Sequence, residues 1–336
     1  MVGPSPAVAQ LRSAVRPGLT RSARPVLVAC SGGADSLALA AAIAFEAPRA
    51  GVPAGAVTVD HGLQPGSAER ARATADLLRK LGLAPVDVLT VDVGTAGGPE
   101  AAARTARYAA LERAAAGPGD GGARVALGHT LDDQAETVLL GLGRGSGPRS
   151  IAGMVEYRPP FWRPLLGVRR ASTRSACADQ GLPVWDDPWN ADAAYTRVRL
   201  RGEVLPLLEE VLGGGVAPAL ARTAALLRED LDLLDRLADA ELAGLLAEGG
   251  LPAAGVAGLP DALRRRVLRG WLAGAGVRDL QAVHLHAVDA LLTRWRGQGP
   301  VALPGGASAV RASGRLVVRP SGMREEPTRD PEEQPP

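Results

Sequence analysis

Runs of β-branched residues alternate with stretches of helical character through the first half of the chain. The strand-like runs cover Val26–Cys30, Gly55–Asp60, Val86–Val93 and Val125–Gly128, and the helical stretches cover 36–47, 67–82, 99–116 and 132–142. This alternation predicts βαβ units, and therefore an α/β fold in which helices cover both faces of a parallel, twisted sheet. Ligands of such sheets bind at the carboxyl ends of the strands. We therefore expect functional residues directly after Cys30, Asp60 and Gly128.

The second half of the chain loses this alternation. A stretch rich in Pro, Gly and aromatic residues runs from Gly143 to Asn190, which is too long for an ordinary loop and is therefore expected to be functional. Leucine and alanine then recur at helical spacing over 217–247. Further helices are expected at 260–274 and 279–296, and short strands at 300–303, 308–312 and 316–319.

These changes of composition predict the domain organisation. We expect a lead-in segment at 1–24 with an amphipathic helix, and an α/β domain at 25–213. A mainly helical domain with a few short strands should follow at 214–322. The tail at 323–336 is rich in Pro and Glu and is expected to be disordered.

Composition excludes several classes of protein. Cys30 and Cys177 are the only cysteines among 336 residues and lie in neither a CxxC nor a CxxH spacing, so neither a disulfide scaffold nor a zinc site is supported. We expect a reducing, cytoplasmic compartment. The longest strictly apolar run, Leu37–Phe45, has nine residues. A membrane-spanning helix needs about twice that number, so no membrane segment is expected.

A glycine-rich turn joins the first strand to the first long helical stretch, and it reads Ser31-Gly32-Gly33-Ala34-Asp35-Ser36. Glycines let backbone amides approach an anion, serine hydroxyls add donors, and the start of the helix adds a partial positive charge. An acid inside a phosphate-binding loop is expected to hold a cation such as Mg²⁺ against the phosphates, which makes Asp35 a metal ligand. The alternative, in which Ser and Asp only cap the helix, leaves most of the hexapeptide unexplained.

This hexapeptide, after a hydrophobic strand, resembles the SGGxDS signature of the PP-loop, or N-type, ATP pyrophosphatases. The resemblance implies a Rossmann-like fold that uses ATP and Mg²⁺. Such enzymes adenylate a carbonyl-type oxygen, release pyrophosphate, and let a nucleophile displace AMP. Nucleotide binding would then involve Ser31, Gly32, Gly33, Ala34, Asp35 and Ser36.

A second group of polar residues follows the fourth strand, and it reads Gly128-His129-Thr130-Leu131-Asp132-Asp133-Gln134-Ala135-Glu136-Thr137. On a helix that opens near Thr130, the acids occupy neighbouring turns, so they and His129 can converge at the carboxyl end of the strand. Thr130 and Asp133 also fit a capping box, which is a purely structural role. Capping leaves His129 and Glu136 unexplained.

This decapeptide resembles the GHTxDDQxET block of the tRNA(Ile)-lysidine synthase family, a branch of the PP-loop enzymes. Further matching blocks are VDHGL at 59–63, an E-x3-R-x2-RY helix at 100–108, RGSG at 144–147, RPLL at 163–166, DPxN at 187–190, LRRR at 263–266 and LPGG at 303–306. One departure occurs at 197–201, where the family has RNRIR and this chain reads RVRLR. Val198 cannot make the hydrogen bonds of an amide.

The resemblance implies a two-step, ATP-dependent ligase that forms a carbon-nitrogen bond. ATP adenylates the C2 oxygen of the wobble cytidine in tRNA(Ile) with the anticodon CAU. The amine of L-lysine then attacks C2 and displaces AMP, which leaves lysidine and changes codon reading from AUG to AUA. The first domain would be catalytic, and the second would bind tRNA.

The same resemblance implies catalytic roles for Asp35, Arg107, His129, Asp133 and Glu136, and metal binding by Asp35 and Asp132. Two acids and a histidine beside an ATP site suit the holding of a metal and the handling of protons. Which of the residues 129, 132, 133 and 136 has which role stays open at this level.

A net charge of +2 conceals two basic stretches. Residues 138–178 hold seven arginines and one acid, and residues 264–319 hold ten arginines and two acids. Two basic regions, one in each domain, fit a long polyanion. We expect tRNA contacts from Arg169, Arg170, Arg197, Arg199 and Arg201. Six of the ten aromatic residues lie within 157–195, where they either stack on anticodon bases or cover the sheet edge.

Three other interpretations are weaker. A PP-loop tRNA thiolase needs cysteines for sulfur or an iron-sulfur cluster, which the two separated cysteines disfavour. An amidotransferase needs a glutaminase with a nucleophilic cysteine, for which the chain has no room. A non-catalytic tRNA-binding protein is disfavoured by the intact Asp35, His129 and Glu136. A homodimer is compatible with the sequence, which does not decide the oligomeric state.

Overall fold

The computed structural model describes residues 3–94, 98–117, 122–187, 192, 194–246 and 250–321. The chain divides into two compact units, 1–227 and 228–336. The boundary near Gly213 and the other predicted domain limits stay predictions, and the tail at 323–336 lies outside the described residues.

The first unit contains a six-stranded sheet, in the order β3-β2-β1-β4-β6-β5. Its strands are β1 (Val26–Ala29), β2 (Ala54–Asp60), β3 (Val86–Thr90), β4 (Arg124–Leu127), β5 (Tyr157–Arg158) and β6 (Phe161–Trp162). All neighbouring strands from β3 to β6 pair in parallel, and β5 pairs antiparallel to β6. The predicted α/β fold with a mostly parallel sheet is therefore confirmed.

The helices of this unit follow the strands. They are α1 (Pro6–Arg21), α2 (Ala34–Glu46), α3 (Ser67–Lys80), α4 (Pro99–Ala116), α5 (Leu131–Arg144), α6 (Pro148–Ile151), α7 (Arg170–Asp179), α8 (Thr196–Arg199) and α9 (Leu205–Val211). A π-helical turn, Leu200–Val204, joins α8 to α9. The long helix α10 (Val216–Leu245) begins in the first unit and ends in the second.

The two faces of the sheet are covered by different helices, because successive residues of a strand point to opposite faces. Val26 and Val28 of β1 belong to a core that also contains apolar residues of α1, α2, α3 and α7. Leu27 and Ala29 belong to the other core, which Leu111 of α4 completes. The sheet is thus buried on both faces.

The helix α1 confirms the amphipathic helix that the lead-in segment predicts. Its apolar stripe, which includes Leu11 and Val15, is buried in the core of the first unit. The C-terminal end of α1 is held by Arg124, a buried residue at the start of β4. The guanidinium donates to the carbonyl of Gly18 at 2.7 Å and to that of Ser22 at 3.1 Å. A core helix and the central sheet are therefore joined by one arginine.

The stretch 143–190, expected as one long functional loop, contains regular structure. It holds α6, α7 and the short hairpin of β5 and β6. Strands of two residues are too short to show a period of two, and the few apolar residues of α7 hide its helical period. The sequence pattern therefore missed these elements.

The second unit is mainly helical and carries a small antiparallel sheet, as predicted. It contains α11 (Ala253–Ala257), α12 (Asp261–Gly274), α13 (Ala282–Thr293), β7 (Leu251–Pro252), β8 (Val301–Ala302), β9 (Ser308–Ala312) and β10 (Arg315–Arg319). The sheet order is β7-β10-β9-β8. Arg264 of α12, from the LRRR block, is buried and binds Asp289 of α13 at 2.6 Å, so this arginine joins two helices.

Within the described residues, no single helix has the length and apolar character needed to cross a membrane. The pair 196–211 and 216–245 meets the requirement only when its two helices are taken together, and they are bent by 94°.

Replacing Arg124 with Met should lower the free energy of unfolding by about 2 to 4 kcal/mol, because the carbonyls at the end of α1 lose a charged donor. Urea denaturation followed by circular dichroism measures this. Arg21→Met, at an exposed position of the same helix, is the matched control and should change stability by less than about 0.5 kcal/mol. Equal effects of the two changes would contradict the role of Arg124.

Candidate active site

The loop after β1 is closed by its own serines. The Ser36 hydroxyl donates to the Gly33 carbonyl at 2.9 Å and accepts from the Ser31 amide at 3.2 Å. Gly32 has a φ of 86°, and a Cβ there would lie 2.9 Å from Thr74 Oγ1 of α3. None of the described side chains caps the start of α2. Its first amides therefore remain available to an anion, and the interpretation of this loop as a simple helix cap is wrong.

The end of β4 lies directly against this loop. A Cβ at Gly128 would come within 2.9 Å of the backbone carbonyl of Asp35, which is closer than real contacts allow. A glycine is therefore required for the strand to approach α2. Because of this approach, His129 and Asp35 line the same cavity.

Thr130 and Asp133 form the predicted capping box at the start of α5. The Thr130 amide donates to Asp133 Oδ2 at 2.7 Å, and the Asp133 amide donates to Thr130 Oγ1 at 3.4 Å. Asp133 Oδ1, however, accepts from Arg170 at 2.5 Å. The Asp133 carboxylate therefore caps α5 and also binds an arginine of the site.

Arg170, the first residue of α7, binds acids from both strand ends. Its guanidinium contacts Asp133, Glu136 at 3.2 Å and Asp35 at 3.3 Å. The backbone amide of Arg170 also donates to Asp132 Oδ2 at 2.7 Å. Glu136 is fully buried. We call Asp35, Asp133 and Glu136 the carboxylate cluster, and Arg170 supplies its central positive charge.

Burial and charge act in opposite directions on the pKa values of the cluster. Burial raises the pKa of Asp35, although a hydrogen bond from Thr173 and the charge of Arg170 oppose the shift. Burial also acts to raise the pKa of Asp133, but Arg170 and the Thr130 amide outweigh it, and this pKa is lowered. Burial would lower the pKa of Arg170, yet the surrounding carboxylates raise it. The guanidinium therefore stays charged.

Two more of the arginines predicted to bind tRNA reach this cluster. Arg201 Nε lies 2.9 Å from Glu136 Oε1, and Arg197 Nη1 lies 3.8 Å from Glu136 Oε2. Val198, the departure from the family pattern, is half-buried in α8 between them.

The other two predicted arginines lie on the surface. Arg169 pairs with Asp132 at 3.0 Å, and Arg199 pairs with Glu203 at 2.9 Å. Both arginine side chains are about half exposed. The Arg199–Glu203 pair is exposed on both sides and is therefore weak, whereas Asp132 is mostly buried and also accepts from the Arg170 amide.

A cavity of about 480 Å³ opens over the loop and the carboxylate cluster. Its polar part is lined by Ser31, Gly33, Asp35, Ser36, His129, Asp133, Arg170 and Arg201. Its apolar part is lined by Val57, Val59, Leu111 and Leu127. The cavity therefore combines phosphate-binding groups with a surface suited to a planar base.

His129 and Arg107 line this cavity from other elements. Burial, against the opposing charge of Asp133 and together with the charges of Arg163 and Arg107, lowers the pKa of His129 to about 4. Its Nδ1 is buried and has no hydrogen-bond partner among the described residues. His129 is therefore neutral at pH 7. Burial also lowers the pKa of Arg107.

The two predicted metal ligands do not share the cavity. Asp35 lines it, whereas Asp132 is absent from its lining and binds Arg169 and the Arg170 amide. Among the described residues, no group of three or more His, Cys, Asp or Glu side chains is arranged to hold a metal ion. Asp133 is the acid that accompanies Asp35 in the cavity.

Sequence reasoning missed two residues of the site. The Thr173 hydroxyl donates to Asp35 Oδ1, and the Trp185 amide donates to the Gly32 carbonyl at 3.0 Å. Thr173 follows Arg170 by one helical turn, a spacing that becomes informative only once α7 is known to pack against α2.

Of the two roles left open for the aromatic residues of 157–195, the structure assigns Phe161 and Trp162 to covering the sheet. Phe161 and Trp162 are buried in β6, where they cover the sheet, so they cannot stack on bases. Tyr157 is exposed, and Trp189 lies outside the described residues.

Cys30 and Cys177 are both free and buried. Burial raises the pKa of Cys177 to about 11, and its thiol donates to the Ala34 carbonyl at 3.3 Å. Neither cysteine has the exposed, electropositive surroundings of a reactive thiolate.

Two protein-family models match this chain, one in each half. Residues 5–208 match the model of the PP-loop domain, and residues 251–317 match that of the TilS substrate binding domain. Curated relatives named tRNA(Ile)-lysidine synthase include one from Streptomyces coelicolor, 55% identical over 95% of this chain and 99% of the relative. Another from Nocardia farcinica is 56% identical over 92% of this chain and 97% of the relative.

Among solved structures, the U34-tRNA thiolase NcsA from Methanococcus maripaludis with its 4Fe-4S cluster is similar, with a TM-score of 0.52 at 18% identity. The match covers 66% of this chain and 80% of that chain. At this identity the likeness supports the fold alone.

Arg170→Met should destabilise the protein by about 3 to 5 kcal/mol at pH 7, because it leaves buried carboxylates without their cation. The loss should shrink at pH 4.5, where raised carboxyl pKa values in the variant allow protonation. Urea denaturation at both pH values tests this. Arg174→Met, at an exposed position of the same helix, is the control. A loss independent of pH would show that packing, rather than charge, is responsible.

His129 should make stability depend on pH between about 6.5 and 4, because its pKa is lower in the folded state than in the unfolded state. The unfolded chain binds a proton in this range and the folded chain does not, so stability falls as the pH falls. His129→Gln should remove up to about 3 kcal/mol of this dependence. Identical pH profiles of the two proteins would contradict the buried, neutral histidine.

Proposed function

This chain belongs to the tRNA(Ile)-lysidine synthase family, and we propose that it forms lysidine in the cavity over the carboxyl ends of β1 and β4. The observation that carries the proposal is an uncapped phosphate-binding loop facing a buried carboxylate cluster in one cavity. The enzyme is an ATP-dependent ligase that modifies tRNA.

The proposed reaction has two steps. The C2 oxygen of the wobble cytidine in CAU-anticodon tRNA(Ile) bonds to the α-phosphorus of ATP, and the bond to the leaving pyrophosphate breaks. The amine of L-lysine then bonds to C2, the C2–O bond breaks, and AMP leaves with that oxygen. The attacking nitrogen loses its extra protons, so the site must supply an acceptor for them.

The residues of the cavity fit ATP. The first amides of α2 and the Ser31 hydroxyl offer donors to phosphate oxygens. Val59 and Leu111 line an apolar part that suits the adenine ring. Arg170 and Arg201 place positive charge beside the same cavity, where negative charge develops during adenylation.

The residues also fit Mg²⁺, which is usually bound by one or two carboxylates together with substrate phosphates. Asp35 is a half-buried carboxylate at the start of α2, beside the uncapped amides. When bound there, the ion would make the α-phosphate more electrophilic. Arg170 Nε lies 3.3 Å from Asp35 Oδ2, so this arginine must share that oxygen or release it.

We propose that His129 accepts a proton from the amine, because it is neutral at pH 7 and lines the cavity. Glu136 is better suited to holding arginines, since it is fully buried and contacts Arg170 and Arg201. Asp133 orients Arg170 and caps α5.

Arg169 and Arg199, which are exposed, are proposed to contact tRNA phosphates. Arg170, Arg197 and Arg201 are proposed to act on the reacting groups, since they already lie at the carboxylate cluster. We propose the cytoplasm as the location, since tRNA, lysine and ATP meet there. The homodimer stays a prediction that sedimentation velocity can test.

Incubating the protein with ATP, Mg²⁺, labelled L-lysine and CAU-anticodon tRNA(Ile) should transfer label to the tRNA and release AMP. Asp35→Asn should reduce AMP formation by about two orders of magnitude or more while circular dichroism stays unchanged. Transfer should also stop when the wobble base is not cytidine. Undiminished turnover by Asp35→Asn would overturn the assignment of Asp35, and incorporation of sulfur instead of lysine would overturn the proposed function.

A further inference from the structure

Gln134 of α5 is a buried polar residue that the proposed reaction does not use. Its side-chain amide binds the backbone of Met154 twice, with Nε2 donating to the carbonyl at 2.8 Å and Oε1 accepting from the amide at 2.6 Å. A Cβ at Gly153 would lie 2.6 Å from the same Oε1, so only glycine fits beside this contact. One side chain thus satisfies both backbone groups of Met154 and fixes that residue on α5.

The chain that contains Met154 leaves the end of α5 and runs back along the same helix. Gly141 makes the second close contact, because a Cβ there would overlap the backbone carbonyl of Ser150 in α6. Gly141 and Gln134 are seven residues apart and therefore lie on one face of α5. Asp133 and Glu136, which bind Arg170, lie on a different face. The helix α5 therefore carries the carboxylate cluster on one face and the returning chain on another.

Arg163, from the RPLL block, fixes the other end of the returning chain. The Arg163 side chain is buried, and its Nη1 donates to the Val155 carbonyl at 3.2 Å. The Arg163 amide donates to the Glu156 carbonyl at 2.7 Å. The backbone from Ser150 to Glu156 is therefore attached at several points, although most of it has no regular secondary structure.

This attached chain carries exposed positive charge. We call residues 144–158 the arginine segment, since it contains Arg144, Arg149 and Arg158 against one acid, Glu156. All three arginines are exposed, and none of them lines the cavity over the carboxylate cluster. Their charge is therefore available to a partner outside the cavity, and a row of exposed arginines fits the phosphate backbone of a nucleic acid.

The helix α5 also sets the distance between the two surfaces. Asp133 lies in its first turn, and Arg144 is its last residue. At 1.5 Å per residue, they are about 16 Å apart along the helix axis. A tRNA that places its wobble base in the cavity extends its anticodon stem away from the cavity, so phosphates of that stem lie within reach of a surface at this distance.

We propose that the arginine segment binds the phosphate backbone of the anticodon stem of the substrate tRNA, and that Gln134 is the positioning residue that fixes this segment to α5. The inference rests on the proposed function, which needs tRNA. Because the segment and the carboxylate cluster are attached to one helix, RNA bound by the segment has a fixed register relative to the cluster. Phosphate contacts set register and orientation without reading sequence, so this surface places the wobble base and does not select it.

The first test replaces Arg144, Arg149 and Arg158 together with Gln and measures the Kd for CAU-anticodon tRNA(Ile) by filter binding at several salt concentrations. Affinity should fall about 10-fold or more, and the salt slope should fall by about one unit for each lost phosphate contact. A control triple variant replaces Arg21, Arg72 and Arg113, which are exposed on α1, α3 and α4, and removes the same charge. Equal effects of the two triple variants would overturn the proposed surface.

A matched pair of glycines tests the attachment of the segment to α5. Gly141→Ala should raise the Kd for tRNA about five-fold, because the new Cβ pushes α6 away from the helix. Gly143→Ala is the control, since a Cβ there meets no atom within 4 Å, and it should leave the Kd unchanged. Both variants should keep the wild-type Kd for ATP. Equal tRNA affinities of the two variants would contradict the attachment.

The role of Gln134 is tested by a double-mutant cycle. Gln134→Met should raise the Kd for tRNA in the otherwise wild-type protein and leave it unchanged in the variant that lacks the three arginines of the segment. The Kd for ATP should stay unchanged in both. A purely structural role would weaken the binding of ATP and tRNA alike, and additive effects on tRNA binding would overturn the positioning role. If Gln134→Met does not fold, Gly153→Ala disturbs the same contact from the other side and completes the cycle.

Binding measured without ATP and lysine separates this inference from the proposed function. Affinity for tRNA that depends on the arginine segment would support the surface even if no lysine entered tRNA. Transfer of lysine to tRNA, with the same tRNA affinity in the wild type and in the variant without the three arginines, would contradict the surface alone.

Discussion

The burial of three carboxylates at the ends of two parallel strands is the constraint on which the site depends. Asp35, Asp133 and Glu136 would repel one another and lose hydration without a cation among them. Arg170 meets this need, since one guanidinium contacts all three. Because Arg170 begins α7, the packing of that helix on α1 and α2 sets where the charge lies. The N-terminal helix, which does not line the cavity, therefore contributes to the geometry of the site.

This arrangement places positive charge beside the cavity in which we propose that the reaction occurs. Arg170, Arg197 and Arg201 gather around Glu136, which is fully buried and makes no other described ion pair. Glu136 thus fixes the positions of these arginines, which would be mobile on an exposed surface. His129, in contrast, is kept neutral by burial and by the nearby arginines. A cavity with fixed cations and a neutral base suits the adenylation of one substrate and the deprotonation of another.

The phosphate-binding loop packs closely against its neighbours because of its glycines. Gly32 has a backbone conformation that side chains rarely adopt, and its surroundings leave no room for a Cβ. The loop therefore lies directly against α3, and the cavity that Asp35 and Asp133 line opens over it.

The sequence by itself determined the parallel sheet, the phosphate-binding loop and the polar helix after β4. Each of these depends on neighbours along the chain: on alternation of strands and helices, on glycines in a turn, and on acids spaced by one helical turn. The sequence also predicted α1, but it did not predict that α1 packs against α7. The sequence suggested Asp132 as a metal ligand and Arg170 as a tRNA contact. Spacing along the chain does not distinguish one of two neighbouring acids, or one of several arginines, as the residue that enters the site.

Only the tertiary structure decided which of these side chains meet. Arg170 and Thr173 lie 135 and 138 residues from Asp35 in the chain, and no local period connects them. It also decided that Asp133 rather than Asp132 faces the cavity. The physical reason is that burial selects among similar side chains. Charges from distant segments are brought together by helix packing on the sheet, and their desolvation then determines which of them must pair.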